Sequence, residues 1–247
     1  MENTKDTQII IVMDEIDAIN FRKKGFEEPG CKVISYNSEF LDVENPLVVQ
    51  LKKDDLLWNN NVLVRSPYSS VYYCLEEASE KIHADYFHQY ATILGALGAK
   101  YVSVKECSTD DSSSMLSGDG AVGVGGLGGE LSVNMSKNKH QKALLELKRT
   151  FEPYLNLDKA KNLMRDFGLQ NDLNLNETIK AIECGVKEKS RNFTLSLSRK
   201  LKSVFEFAGK IKPYGGIDIG WKIKNNKEIA ETYSLHIEVE FDSTLVG

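Results

Sequence analysis

The chain is poor in the residues from which reaction centres and cross-links are most often built. It has four cysteines and four histidines in 247 residues, and Cys31, Cys74, Cys107 and Cys184 are scattered without any C-x-x-C spacing. A zinc ribbon or a thioredoxin-like redox pair needs that spacing, so the cysteines read as free thiols in a reducing compartment. His83 and His88 stand five residues apart, whereas zinc ligation from a helix calls for three or four. His140 falls in a polar turn and His236 on the polar side of a strand. No metal centre, cofactor or catalytic set is expected.

Other absences narrow the reading further. No apolar run approaches the length of about 18 residues that a membrane-spanning helix requires. The opening MENTKDTQII lacks a basic segment followed by an apolar stretch, so no ordinary signal peptide is expected and the cytoplasm is the expected location. Neither G-x-x-x-x-G-K-[ST] nor G-x-S-x-G occurs. IIIVMDEIDA, which imitates the acidic strand of an ATPase, therefore reads as a strand end followed by the acidic helix-start residues Asp14, Glu15 and Asp17. Net charge is −5, from 31 basic and 36 acidic residues in mixed runs, so no nucleic acid partner is expected.

What is present is a hydrophobic fraction of 41%, ample for a core, arranged in two periodicities. QIIIVM at 8–13, CKVISYN at 31–37 and NVLVR at 61–65 read as strands. DEIDAINFRKKGF reads as a helix ending near Gly25, and Pro46 to Trp58 as a short helix opened by the Asn-Pro step. Val71, Leu75, Ala78, Ile82, Tyr86, Tyr90, Ile93 and Leu97 recur at three and four, which predicts a long amphipathic helix over Ser69 to Leu97, closed by Gly98. KYVSVKE then switches to a period of two. Shorter helices are expected over Leu157 to Phe167, ended by Gly168, and over Asn176 to Lys187, opened by an asparagine cap. NDLNLNE at 171–177 resembles a calcium loop only in its oxygen content, lacks the central glycine, and reads as a capping linker.

Cys107 to Gly129 is rich in serine and glycine and reads as a mobile interaction loop, with Asp110, Asp111, Gly118, Gly120, Gly123, Gly125 and Gly128 as its candidate residues. Two frames of G-x-G-x-x-G lie within it. A dinucleotide site needs a strand before those glycines and a helix after them, whereas CSTDDSSSML precedes and the alternating ELSVNMS follows. Asp110, Ser112 and Ser114 could ligate magnesium only from a strand end, and they read instead as polar loop.

The last third alternates cleanly, with Phe193, Leu195 and Leu197, then Ile217, Ile219, Trp221 and Ile223, then Tyr233, Leu235, Ile237, Val239 and Phe241. That is the mark of antiparallel strands with one face packed. GGELSVNMSKNKHQKALLELKRTF and GGIDIGWKIKNNKEIAETYSLHIEVEF run in parallel: a glycine pair, a strand, a lysine/asparagine turn, and a return strand ending in phenylalanine. KALLELKRTF fits that return strand, although Ala143 to Leu147 could equally start a helix.

The expectation is an α+β fold in which a largely antiparallel sheet comes from two duplicated β-meander units, with the long helix and shorter helices packed on it. Its regions are a small mixed part over 1–68, the long helix and first meander over 69–156, and two helices and the second meander over 157–247. Function is expected to be non-enzymatic binding or assembly, with another protein or a second copy as partner. One alternative is a pore-forming effector that inserts amphipathic hairpins into a membrane, for which Ile217, Ile219, Trp221, Ile223, Leu235, Ile237 and Val239 are the candidate residues. Another is an enzyme whose site is assembled from residues distant in sequence.

Overall fold

The structure, a computed structural model, describes residues 7–25, 29–38, 44–109, 141–196 and 233–242. The expected α+β class holds: the helices accompany two mostly antiparallel four-stranded sheets. By contacts the described residues divide into two compact units, 7–82 and 83–196 with 233–242.

In the first unit β1 (Ile9–Met13) leads through α1 (Glu15–Lys23) to β2 (Cys31–Ser35), which lies parallel to β1. The helix α2 (Pro46–Lys53) follows, then β3 (Asn61–Arg65), antiparallel to β1, and β4 (Tyr72–Cys74) on its outer side. All five residues of β1 are buried, as a central strand covered on both faces requires. Ile10, Val12, Ile34, Leu51, Leu63 and Tyr72 form a cluster with Leu47, Leu56 and Leu57 packed against it. Each such aliphatic side chain contributes about 1.5–3 kcal/mol on burial. Local signals start both helices. Asp14 accepts from the Asp17 amide, and Asn45 accepts from the Leu47 amide with Pro46 in the first turn.

The long helix begins later than its periodicity implies. It is α3 (Leu75–Ala96), and the preceding Tyr72–Cys74 pairs with Leu63–Arg65 as β4. The Ser66 amide bonds the Val71 carbonyl at 2.9 Å, and the Tyr72 hydroxyl donates to the Thr7 carbonyl at 2.9 Å. A free sheet edge thus captured the two tyrosines, and Val71 was left 42% exposed. At the other end the expected glycine stop is real, since Gly98 has φ of +92°.

In the second unit the chain leaves α3 into β5 (Ala99–Thr109), so Cys107 to Thr109 is strand rather than the start of the serine/glycine loop. Residues 141–145 are helical (α4), which corrects the expected return strand over Lys142–Phe151 and leaves only β6 (Lys148–Thr150). The run Lys-Ala-Leu-Leu-Glu is made of strong helix formers, and its local preference prevails there. Then come α5 (Leu157–Asp166), α6 (Leu173–Glu183), β7 (Ser190–Ser196) and β8 (Tyr233–Phe241), in a sheet of order β6-β5-β8-β7. The expected helix Asn176–Lys187 is shifted: Asp172, not an asparagine, caps α6 by accepting from the Leu175 amide at 2.9 Å, and Gly185 at φ +73° ends it.

The alternation in β8 is as expected, with Leu235, Ile237, Val239 and Phe241 buried beside Phe193 and Leu195 of β7 and Val102, Val104 and Cys107 of β5. On the opposite face Lys105 reaches Glu238 at 2.7 Å and Lys100 reaches Glu240 at 3.6 Å, exposed pairs worth little individually. Duplication is not established: the glycine pairs and the first hairpin strand of each copy lie outside the described residues, and three-residue β6 does not match nine-residue β8.

The edge strand β6 is fastened to α3 by two neighbouring residues. Arg149 donates to the Thr92 hydroxyl at 2.6 Å and the His88 carbonyl at 3.1 Å, with its guanidinium 4.9 Å from the centre of the Phe151 ring. That ring fills the space over Gly95, where an added Cβ would lie 2.7 Å from it. Elsewhere in a helix, glycine to alanine gains about 1 kcal/mol. Here overpacking costs about 1–3 kcal/mol. We therefore expect Gly95→Ala to lower stability in urea denaturation, and Gly95→Ala combined with Phe151→Leu to lose less than the two single changes together.

Candidate functional site

A small concave feature of the second unit is built by chain endings. Helix α6 closes with the Val186 amide bonded to the Ala181 carbonyl and the Gly185 amide to the Ile182 carbonyl, both at 2.9 Å. This reverse turn around a left-handed glycine brings the residue after the helix back against its last turn. Val186 consequently stands beside Ala181 and Ile182. The chain then runs through Glu188 to β7, and the Phe241 amide bonds the Lys189 carbonyl at 2.9 Å. The Asp242 amide bonds the carbonyl of Gly98 at 3.1 Å, tying the end of β8 to the turn between α3 and β5.

These endings border a small open cleft lined by Leu97, Gly98, Thr178, Ala181, Ile182, Val186, Glu188, Phe241 and Asp242. Its surface is mainly apolar, and its charged residues are the carboxylates Glu188 and Asp242. The Thr178 hydroxyl donates to the Asn174 carbonyl at 2.8 Å and accepts from Arg191 at 2.9 Å. Arg191 also donates to Glu177 at 3.1 Å and lies 5.6 Å from the centre of the Phe193 ring. Thr178 is thus engaged in holding helix to sheet. What the arrangement offers is an apolar seat with acidic residues in its lining, a geometry for binding.

In the same unit the buried Tyr90 donates its hydroxyl to Asp172 at 3.1 Å, and its ring meets Phe193 edge-on at 6.0 Å. Burial first, then the Asp172 carboxylate, push the Tyr90 hydroxyl far above its ordinary range, which suits a structural donor rather than a proton-transfer group. Cys107 is buried on β5, and burial, with Glu106 adding to it, pushes its thiol up to about 12. Burial also raises Cys74. Neither is an activated nucleophile.

The remaining sequence candidates divide in three. The loop residues Asp110, Asp111, Gly118, Gly120, Gly123, Gly125 and Gly128, and the hairpin residues Ile217, Ile219, Trp221 and Ile223, lie outside the described residues. Leu235, Ile237 and Val239 are in place on β8, with that strand paired on both sides by β5 and β7. Asp14, Glu15 and Asp17 start α1 as expected. The Asp14 amide bonds Asn59 Oδ1 at 3.2 Å, the Glu15 amide bonds Asn37 Oδ1 at 2.9 Å, and Glu15 accepts from Ser38 at 2.8 Å. These oxygens close the loops around the strand end.

His83 is buried and His88 exposed, and His88 is held below its usual value by partial burial and then by Arg149. His236 shares a 3.1 Å contact with Thr194. Among the described residues no cluster of three metal-ligating side chains occurs. Sequence reasoning missed the cleft entirely. Its one legible signal was Gly185, whose position after an amphipathic helix announces the reverse turn. Comparison with protein-family models, curated proteins and solved structures finds no match.

The Cys107 thiol makes stability depend on pH with a definite sign. Its ordinary value is 9.0, and the folded value is higher, so folding favours the protonated thiol. The stabilisation is complete below pH 9 and declines from there toward pH 12 as the unfolded chain ionises. Urea denaturation of the wild type should show this alkaline decline, and Cys107→Ala, though less stable at neutral pH, should show a shallower one.

Proposed function

We propose that the chain is a non-enzymatic binding or assembly protein and that the cleft between the end of α6 and the end of β8 is where a segment of another protein docks. The observation that carries this reading is the cleft's composition. Ala181, Ile182 and Val186 present apolar surface at its mouth, Val186 being 48% exposed, and the buried Leu97 and Phe241 line it. Exposed apolar surface gathered in a concavity gains free energy when a partner covers it, whereas singly scattered apolar residues carry no such meaning. Its one hydroxyl, Thr178, is already bonded to Asn174 and Arg191.

Titration of the isotopically labelled chain with short capped peptides tests the reading. One peptide series carries an apolar central residue, one a basic and one an acidic residue. At least one series should shift the amides of Ala181, Ile182, Val186 and Phe241 saturably, and Ile182→Ser should weaken that response. Silence of those amides toward every series would remove the cleft as a docking site.

A second reading, hairpin insertion into a membrane, draws on β8, whose nine residues alternate strictly and match the roughly 9–11 residues of a spanning strand. No described helix is long and apolar enough to cross a membrane, which bears only on helical insertion. Leakage from dye-loaded liposomes separates the two. The docking reading expects intact vesicles with the full chain. Release that Leu235→Lys abolishes and Ser234→Lys leaves untouched would favour insertion.

A further inference from the structure

We propose that the contact between Arg149 and the His88 turn of α3 is an acid-sensitive latch, which holds the edge strand β6 on the helix at neutral pH and loosens when the His88 imidazole takes up a proton. His88, Thr92 and Gly95 follow one another at spacings of four and three, which sets them in one stripe along a single face of α3. The end of β6 lies along that stripe. Arg149 donates to the His88 carbonyl at 3.1 Å and to the Thr92 hydroxyl at 2.6 Å, and Phe151 fills the space over Gly95. Arg149 stands opposite Val102 in the ladder, and Val102 is buried, so the arginine projects from the packed side of the sheet toward the helix.

The strand so held is short. It has three residues and stands at the end of the sheet order beside β5, where the Val104 amide bonds the Leu147 carbonyl at 3.0 Å and the Phe151 amide bonds the Lys100 carbonyl at 2.9 Å. Such an edge opens locally at lower cost than the long β5–β8 pair. A guanidinium bonded to the carbonyl of residue 88 stands beside that residue's own ring, which meets the Phe87 ring edge-on at 5.5 Å. Arginine stays charged at every accessible pH, so the imidazole is the member of the pair that titrates. The charged groups acting on the ring are Arg149 from β6 and Asp85 on its own helix. Partial burial and then Arg149 hold it below its ordinary value of 6.5, and Asp85 opposes them without cancelling the shift. Folding therefore favours the neutral ring: the stabilisation is complete above pH 6.5 and is lost as pH falls from there through the folded value. The added proton sets a second cation against the guanidinium, and the contact of Arg149 with α3 is what yields.

Amide hydrogen exchange on the full chain tests this, with protection corrected for the intrinsic pH dependence of exchange. Lowering pH from about 7.5 to about 5.5 should cut the protection of the Val104 and Phe151 amides about twofold or more. The Phe241 amide, bonded to the Lys189 carbonyl away from β6, should lose less. His88→Gln should remove the pH dependence at Val104 and Phe151. In Arg149→Gln the His88 ring, followed by NMR, should titrate closer to its ordinary value. Protection at β6 that does not change with pH, an equal loss at Phe241, a pH dependence that survives His88→Gln, or a His88 titration unmoved by Arg149→Gln each overturns the inference. Should a variant fail to fold, the wild type decides alone: the loss of protection must follow the titration of the His88 ring, and a mismatch between the two midpoints overturns the latch.

Discussion

The second unit depends on the pairing of β5 with β8. These strands are far apart in the chain, and their register runs from Ala99 opposite Phe241 to Thr109 opposite Tyr233. Closing so long a loop costs little more than closing one half its length, since the cost grows only with the logarithm of loop size. The register itself is strongly specified, because a slip of one residue would turn Leu235, Ile237 and Val239 toward the polar face. Two irregularities, between Ala99 and Tyr101 and between Val104 and Glu106, let the longer β5 keep Val102, Val104 and Cys107 on the buried side. The cleft is a product of that pairing, since Phe241 and Asp242 arrive beside Gly98 only when β8 lies on β5.

A second layer of constraint is polar. Asp172 both caps α6 and accepts the Tyr90 hydroxyl, so one carboxylate starts a helix and satisfies a buried donor on α3. Arg191 joins β7 to Thr178 and Glu177 on the same helix. Losing one partner of such a set leaves the other with its desolvation unrecovered, at about 1–3 kcal/mol for a neutral group. These contacts hold α6 at a set place on the sheet, and with it the wall of the cleft formed by Ala181 and Ile182.

The first unit has the opposite character. Its parallel β1 and β2 end where ligands commonly bind in open α/β sheets. The groups at that edge are nonetheless engaged with one another: Asp14 with the Asp17 amide, Asn37 with Ser35 and the Glu15 amide, Glu15 with Ser38. The acidic start of α1 is local helix chemistry, in which Asp14 caps and Glu15 and Asp17 meet the positive end of the helix.

Most elements were legible because their causes are local. Alternation along Tyr233 to Phe241, the Asn-Pro start of α2, and the glycines after α1, α3 and α5 all act within a few residues. The readings that failed were those in which a distant partner or a competing local preference decided. Tyr72 to Cys74 continue the helical period but complete a sheet edge beside β3, and Ala143 to Leu147 suit either a strand or a helix by pattern. Beyond Gly185 the cleft had no pattern, for Glu188, Asp242 and Gly98 come from three chain endings that carry no shared spacing. The sequence by itself determined the periodicities, the caps and the α+β class, because each follows from backbone geometry and near neighbours. Only the tertiary structure decided which chain endings meet, because the β5–β8 register that brings Asp242 to Gly98 is selected by burial of one whole sheet face and not by any residue near the cleft.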